Sequence, residues 1–142
     1  MVLSFQKIRI IKTIKSIIQK ELDINEDYLK RFLVLGHKGM LGHMVHWYLT
    51  SKWTNHDVIT TDLRWPTDEF KKKILDFDGD YVVNCIGAIH QKTNNFKVNT
   101  DLPIWLDELS KNFKIIHPGT DCEIDDDEYG ISKREATDYL LK

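Results

Sequence analysis

Three glycines and three polar side chains are the residues of this chain whose types and spacing could do chemistry. Gly36-His-Lys-Gly39-Met-Leu-Gly42 has the spacing of a turn that receives phosphates. In such a turn the first glycine permits the tight reversal. The second lets the backbone approach a pyrophosphate, and the third lets the following helix pack closely on the preceding strand. Met40 and Leu41 complete the lining, and a helix starting here offers free N–H groups and a partial positive charge to an anion. Asp62 is expected at the end of the next strand, where an acid accepts from a ribose hydroxyl. That acid suits the unphosphorylated ribose of NAD, whereas Lys38 or Arg64 could pair with the 2′-phosphate of NADP. The sequence leaves that choice open.

Tyr129 and Lys133 stand at i and i+4, so they share one face of a helix. A lysine ammonium close to a phenol favours the phenolate and lowers its pKa from about 10. Such a tyrosine can exchange a proton with a carbonyl or alcohol near neutral pH. Thr120 is expected to end the fourth strand, at the carboxyl edge of the sheet where open α/β folds bind ligands. Its hydroxyl could hold a substrate oxygen.

The elements that must position these residues follow from periodicity. Strands are expected at residues 31–35, 57–61, 81–86 and 113–117. Helices are expected at 39–53, from the Thr67 cap to about 77, at 95–111 with an interruption near Pro103, and at 132–141. Alternating strands and helices predict an α/β fold: a Rossmann-type parallel sheet with helices on both faces. Residues 5–22 read as a basic amphipathic helix, with Ile8, Ile11, Ile18 and Leu22 on one side and Arg9, Lys12, Ser16 and Lys20 opposite. The chain therefore divides into an N-terminal extension, 1–30, and a partial dinucleotide-binding domain, 31–142.

The bulk numbers exclude several classes. A chain of 142 residues is one domain's worth. Lys+Arg 20 against Asp+Glu 22 leaves a net charge of −2, so no nucleic-acid partner is expected. No apolar run is long enough for a transmembrane segment. Lysines and an arginine interrupt the first apolar stretches, so no secretory signal is expected either. Two cysteines are too few for a disulfide scaffold and point to reduced thiols in a cytoplasmic protein. His43 and His46 sit at i, i+3 with no third ligand at sensible spacing, so no metal is expected.

Five segments in order, FLVLGHKGMLGHMV, YVVNCIGAI with HQK after it, FKVNT, IIHPGTDC and YGISKREA, resemble the extended short-chain dehydrogenase/reductase superfamily. Within it they resemble the dTDP-4-dehydrorhamnose reductase group. The resemblance covers about residues 31–142. It implies an NADPH or NADH cofactor and hydride transfer to a 4-keto sugar nucleotide. It also implies roles: Tyr129 as general acid, Lys133 tuning it and binding the nicotinamide ribose, and Thr120 polarising the keto oxygen. Gly36, Gly39, Met40, Leu41 and Gly42 would line the pyrophosphate. Asn84, Cys85 and Ile86 would pass the riboses, with Gly87 and Ala88 giving room, and Asn99 would support the active-site helix.

The chain departs from the family in two places. Gly119 stands where the family has serine, and the loop from Asp121 to Glu128 is short and carries six acids, read as a solvated acidic turn. Family members also continue beyond the equivalent of Lys142 into a sugar-nucleotide-binding lobe. The chain is accordingly expected to be a fragment, to have its fold completed by a protein partner or homo-oligomer, or to be a remnant without turnover. A non-catalytic NAD(P)-binding regulatory module and another extended-family activity, such as an epimerase, are the alternative functions.

Overall fold

The computed structural model describes residues 30–52, 56–110 and 112–142. The helix expected over 5–22 lies outside them. The element order is β1 (Arg31–Leu35), α1 (Met40–Lys52), β2 (Asp57–Thr60), α2 (Asp68–Leu75), β3 (Tyr81–Asn84), α3 (Lys97–Glu108), β4 (Lys114–Ile116) and α4 (Glu128–Leu140), with a 3-10 turn at Asp121–Ile124. The four strands form one sheet in the order β2-β1-β3-β4. All three pairings are parallel, with Phe32 opposite Val58 and Leu35 opposite Asn84. This is the expected Rossmann-like α/β arrangement.

Strand alternation splits the core in two. Phe32, Val34, Tyr81, Val83 and Ile116 point to the face covered by Val45, Tyr48 and Leu49 of α1. Leu33, Leu35 and Val82 point to the other, covered by Phe70 and Ile74 of α2 and Leu102 and Leu106 of α3. Helices therefore lie on both faces. The central strand is buried on both sides: Phe32, Leu33, Val34 and Leu35 are each 0% exposed. A run of four consecutive apolar residues suits an interior strand covered on both faces.

Some boundaries differ from expectation for visible reasons. Thr67 caps α2 as predicted, its hydroxyl accepting from Phe70 N at 3.3 Å. Strand β3 stops at Asn84 because that side chain turns back and accepts from Ile86 N at 3.1 Å. Helix α3 is not interrupted at Pro103. Leu102, Pro103 and Leu106 are all buried there, and that packing outweighs the hydrogen bond the proline cannot make. Helix α4 begins at Glu128 rather than Ser132, because Asp127 caps it by accepting from Gly130 N at 2.7 Å.

Candidate functional site

The glycine turn follows directly from β1. Gly36 has φ +75, a conformation that costs other residues dearly, and a Cβ on it would lie 2.9 Å from Cys85 C and O. Gly39 N donates to Gly36 O at 3.0 Å and closes the turn. A Cβ on Gly42 would sit 2.0 Å from Gly36 O, so α1 can start here only over a glycine. Gly39 differs from both. It is exposed, and a Cβ on it would meet nothing closer than Gly36 O at 3.4 Å, an ordinary contact. The fold thus requires Gly36 and Gly42 but leaves the space beside Gly39 open. The N–H groups of Met40, Leu41 and Gly42 open α1, where no intrahelical acceptor serves them. Leu41 packs into the core beneath, while Met40 is 60% exposed.

The rim beside this turn is charged. Lys38 Nζ lies 3.0 Å from Asp62 Oδ1, and His37 Nε2 lies 3.5 Å from the same oxygen. The hydrogen bond from Lys38 and the nearby cationic charge hold the Asp62 carboxyl below its ordinary range. Asp62 and Lys38 both face solvent, as does Arg64, whose carbonyl accepts from Thr67 N.

Opposite the turn, the end of β3 runs against Gly36. Cys85 N donates to Leu35 O at 3.0 Å, and burial pushes the Cys85 thiol up to about 12, so it stays protonated and inert. Asn84 is 1% exposed; besides holding Ile86 N, its amide meets His117 Nδ1 at 3.2 Å. Asn99 ties the next segment to α4. Its Oδ1 accepts from Ala88 N at 2.7 Å, and its Nδ2 donates to Ala88 O at 3.0 Å and Ser132 Oγ at 3.2 Å. A Cβ on Gly87 would only touch Asn99 Oδ1 at 3.4 Å, so this stretch too has room.

The hydroxyl and lysine group is assembled differently from expectation. Thr120 does not end β4, which stops at Ile116. It lies beyond His117, Pro118 and Gly119 and caps the 3-10 turn, its hydroxyl accepting from Cys122 N at 3.4 Å and its N–H donating to Glu123 Oε1 at 3.1 Å. The acidic loop is not a merely solvated turn. Thr137 Oγ1 donates to Glu123 Oε1 at 2.9 Å and Arg134 Nη1 to Glu123 O at 3.1 Å. A Cβ on Gly130 would lie 2.4 Å from Cys122 O, which shows how tightly the turn sits on α4.

The Thr120 side chain lies near the Tyr129 phenol and favours its ionised form. The Tyr129 ring packs against His90 at 5.5 Å and Phe96 at 5.8 Å between centroids. Its phenol is pushed up, not down. Burial is the main cause, and the charges of Asp127 and Glu123 add to it against the opposing influence of Thr120. The expected lowering by Lys133 is corrected accordingly. Lys133 is 8% exposed, and its ammonium donates to Pro118 O at 3.3 Å; burial lowers its pKa. Tyr129 therefore stays protonated near neutral pH, and the upward shift makes it a weaker proton donor than a free phenol.

Two groups escaped the sequence reading. His117 follows β4 directly, its Nδ1 facing Asn84, and its buried Nε2 has no hydrogen-bond partner among the described residues. Burial and the charge of Lys133 lower its pKa to about 4. A cavity of about 310 Å³ opens between His117, Thr120, Glu123, Thr137, Leu140 and Leu141. His90 Nε2 lies 3.1 Å from Asp127 Oδ2. The positions of both histidines, just past β4 and in the segment leading to α3, were the only signal available.

The chain matches no protein-family model, and no curated protein matches it. Among solved structures it is similar to an ADP-L-glycero-D-manno-heptose-6-epimerase of Helicobacter pylori, with a TM-score of 0.71 and 12% identity. The match covers 82% of this chain and 51% of that one, so the chain spans about half the length of its structural neighbour. At this identity the likeness establishes the fold. No helix among the described residues is long and apolar enough to cross a membrane.

Proposed function

We propose that the chain is a dinucleotide-binding module of the extended short-chain dehydrogenase/reductase type, serving hydride chemistry on a sugar nucleotide. The observation that carries this is the glycine turn. Packing demands Gly36 and Gly42, whereas Gly39 is left bare beside the free N–H groups of α1. A pyrophosphate needs that combination of open space, N–H donors and positive helix end. These residues fit NAD or NADP, which would supply the hydride when bound.

The remaining roles come from the chain's own groups. Gly36, Gly39, Met40, Leu41 and Gly42 line the phosphates, and Asp62 faces the adenosine ribose. The segment Asn84–Gly87 and Lys133 border the nicotinamide end, and Asn99 holds that segment to α4. Thr120 orients the carbonyl oxygen of the substrate and Tyr129 protonates it. The neighbour's name, an epimerase of a nucleotide-linked heptose, agrees with a sugar-nucleotide substrate. A 4-keto sugar reductase of the dTDP-4-dehydrorhamnose type is the specific activity proposed, and epimerisation is the nearest alternative.

A second reading has its own support. Lys133 is engaged by the Pro118 carbonyl, and the Tyr129 phenol is pushed up rather than down. Both favour a module that binds the dinucleotide in the cytosol without turnover, in partnership with another polypeptide that supplies the substrate side.

Fluorescence titration with NADH and NADPH tests the shared premise, and failure of both to bind removes both readings. Turnover of a keto-sugar nucleotide that is lost in Tyr129→Phe supports the enzyme. Binding that survives Tyr129→Phe, with no turnover in the parent, supports the module.

A further inference from the structure

Among the described residues β4 pairs with β3 alone, and a trough runs along its other edge. A cavity of about 570 Å³ there is lined by Tyr81, Phe113, Ile115, Ile116 and Leu140 and reaches His117. Tyr81 and Ile116 belong to one core, Phe113 and Ile115 to the other, so the trough borders both. The cavity beside Thr120 shares His117 and Leu140 with it and continues it to Leu141, which is 82% exposed. A sheet edge of this kind is commonly covered by a helix.

The two ends of the trough differ in charge. Lys114 stands where β4 starts, and the acids from Asp121 to Glu128 stand at the other end. The chain ahead of β1 carries charges in the matching order. Lys7, Arg9, Lys12, Lys15 and Lys20 come first, with no acid among them, and Glu21, Asp23, Glu26 and Asp27 follow, nearest β1.

The lengths agree as well. Asp80 N donates to Arg31 O and Lys114 N to Asp80 O, each at 2.9 Å. The start of β1 therefore lies two strand spacings, about 10 Å, from the start of β4. Residues 23–29 can span up to about 23 Å, which bridges that gap. A helix over 5–22 is about 27 Å long. The path from Lys114 to Asp121 is at most about 23 Å.

We propose that residues 5–22 lie along this trough as a helix running opposite to β4, with Ile8, Ile11, Ile18 and Leu22 against the strand edge. Glu21 and Asp23 then come near Lys114, and Lys7 and Arg9 come near the acidic turn. The reverse direction sets like charges together at both ends. The chain covers its own sheet edge in this way, and the covering segment borders the side of the cleft on which Thr120 stands. The inference is independent of the dinucleotide reading.

The test uses the full chain. Cys122 is exposed in the acidic turn, whereas Cys85 is held in a largely buried position. Lys7→Cys and Lys20→Cys are each treated with a short bismaleimide, and the linked peptides are mapped. On the proposed helix Lys20 lies about 20 Å farther from the turn than Lys7. Lys7→Cys should therefore link to Cys122 within one chain about tenfold more than Lys20→Cys. Amides of residues 5–22 should exchange with deuterium about tenfold or more slower than in a synthetic peptide of residues 1–29. Ile11→Asp combined with Ile18→Asp should remove that protection while β1 and β3 keep theirs. Exchange as fast as in the peptide overturns the proposal, and equal linking from both cysteine variants overturns the direction. Links between two chains, or protection that rises with protein concentration, assign the trough to a second copy and overturn it. Protection that appears only with vesicles of phosphatidylglycerol and phosphatidylcholine assigns the segment to an anionic membrane and overturns it too.

Discussion

Alanine in place of each glycine of the turn separates what the fold needs from what a ligand needs. At Gly42 the new methyl would stand 2.0 Å from Gly36 O and 2.5 Å from Gly36 C, both backbone atoms that can yield only if α1 moves off β1. Overpacking of this kind should cost about 3 kcal/mol or more. At Gly36 two terms combine. The left-handed φ of +75 costs alanine about 1–2 kcal/mol, and the 2.9 Å approach to Cys85 adds to it, for a loss of about 2–4 kcal/mol. At Gly39 the methyl meets only Gly36 O, at 3.4 Å. Stability should then stay within about 1 kcal/mol of the parent, the scale of a helix-cap change. The order is reversed for binding. On the proposed phosphate reading a methyl on Gly39 would stand in the path of the phosphate oxygens and should weaken NADH and NADPH by about tenfold or more, ~1.4 kcal/mol. Urea denaturation followed by tryptophan fluorescence and nucleotide titration on the same samples measure both. Gly39→Ala that binds like the parent refutes the phosphate reading of the turn. Gly42→Ala that unfolds no more easily than Gly39→Ala refutes the packing argument.

Three further outcomes follow from the geometry. Asn99→Ala leaves the Ala88 amide and carbonyl and the Ser132 hydroxyl without their shared partner, and chemical denaturation should show a loss of about 2–4 kcal/mol. The Tyr129 phenol should ionise above the ordinary tyrosine range; near-ultraviolet titration of the parent minus Tyr129→Phe isolates it, and ionisation below that range contradicts the assigned environment. His117 is about 4 when folded against 6.5 as a free side chain, so the unfolded chain takes up a proton that the folded chain refuses. Its contribution to stability is therefore full above pH 6.5 and lost as pH falls toward 4, by about 3 kcal/mol in all. Urea midpoints against pH should show this slope in the parent and lose it in His117→Gln.

Much of the sheet was legible because burial on both faces leaves a continuous apolar run, as in Phe32 to Leu35, and turn chemistry brackets it. The glycine turn was legible for a related reason: a positive φ and a helix starting over a carbonyl oxygen exclude almost every other residue. What was not legible depends on contacts distant in sequence. Nothing local to Pro103 says that its neighbours Leu102 and Leu106 will be buried deeply enough to carry it inside a helix. Likewise the acids from Asp121 to Glu128 read as a solvated run until Arg134 and Thr137 are seen to reach back to Glu123. The direction of the Tyr129 shift failed for the same reason. Spacing on a helix brings Lys133 to the same face, but burial of the phenol decides the direction of the shift, and the Lys133 ammonium donates to the Pro118 carbonyl, fifteen residues away.

Asp127 joins two tasks in one carboxyl group. One oxygen accepts from Gly130 N and starts α4; the other meets His90, in the segment after β3. The segment after β3 and the first turn of α4 are thus tied by this carboxyl as well as by the Tyr129 ring against His90 and by Asn99 between Ala88 and Ser132. The two segments should exchange their amide hydrogens with deuterium in concert, and a change at His90 should be felt at the first turn of α4.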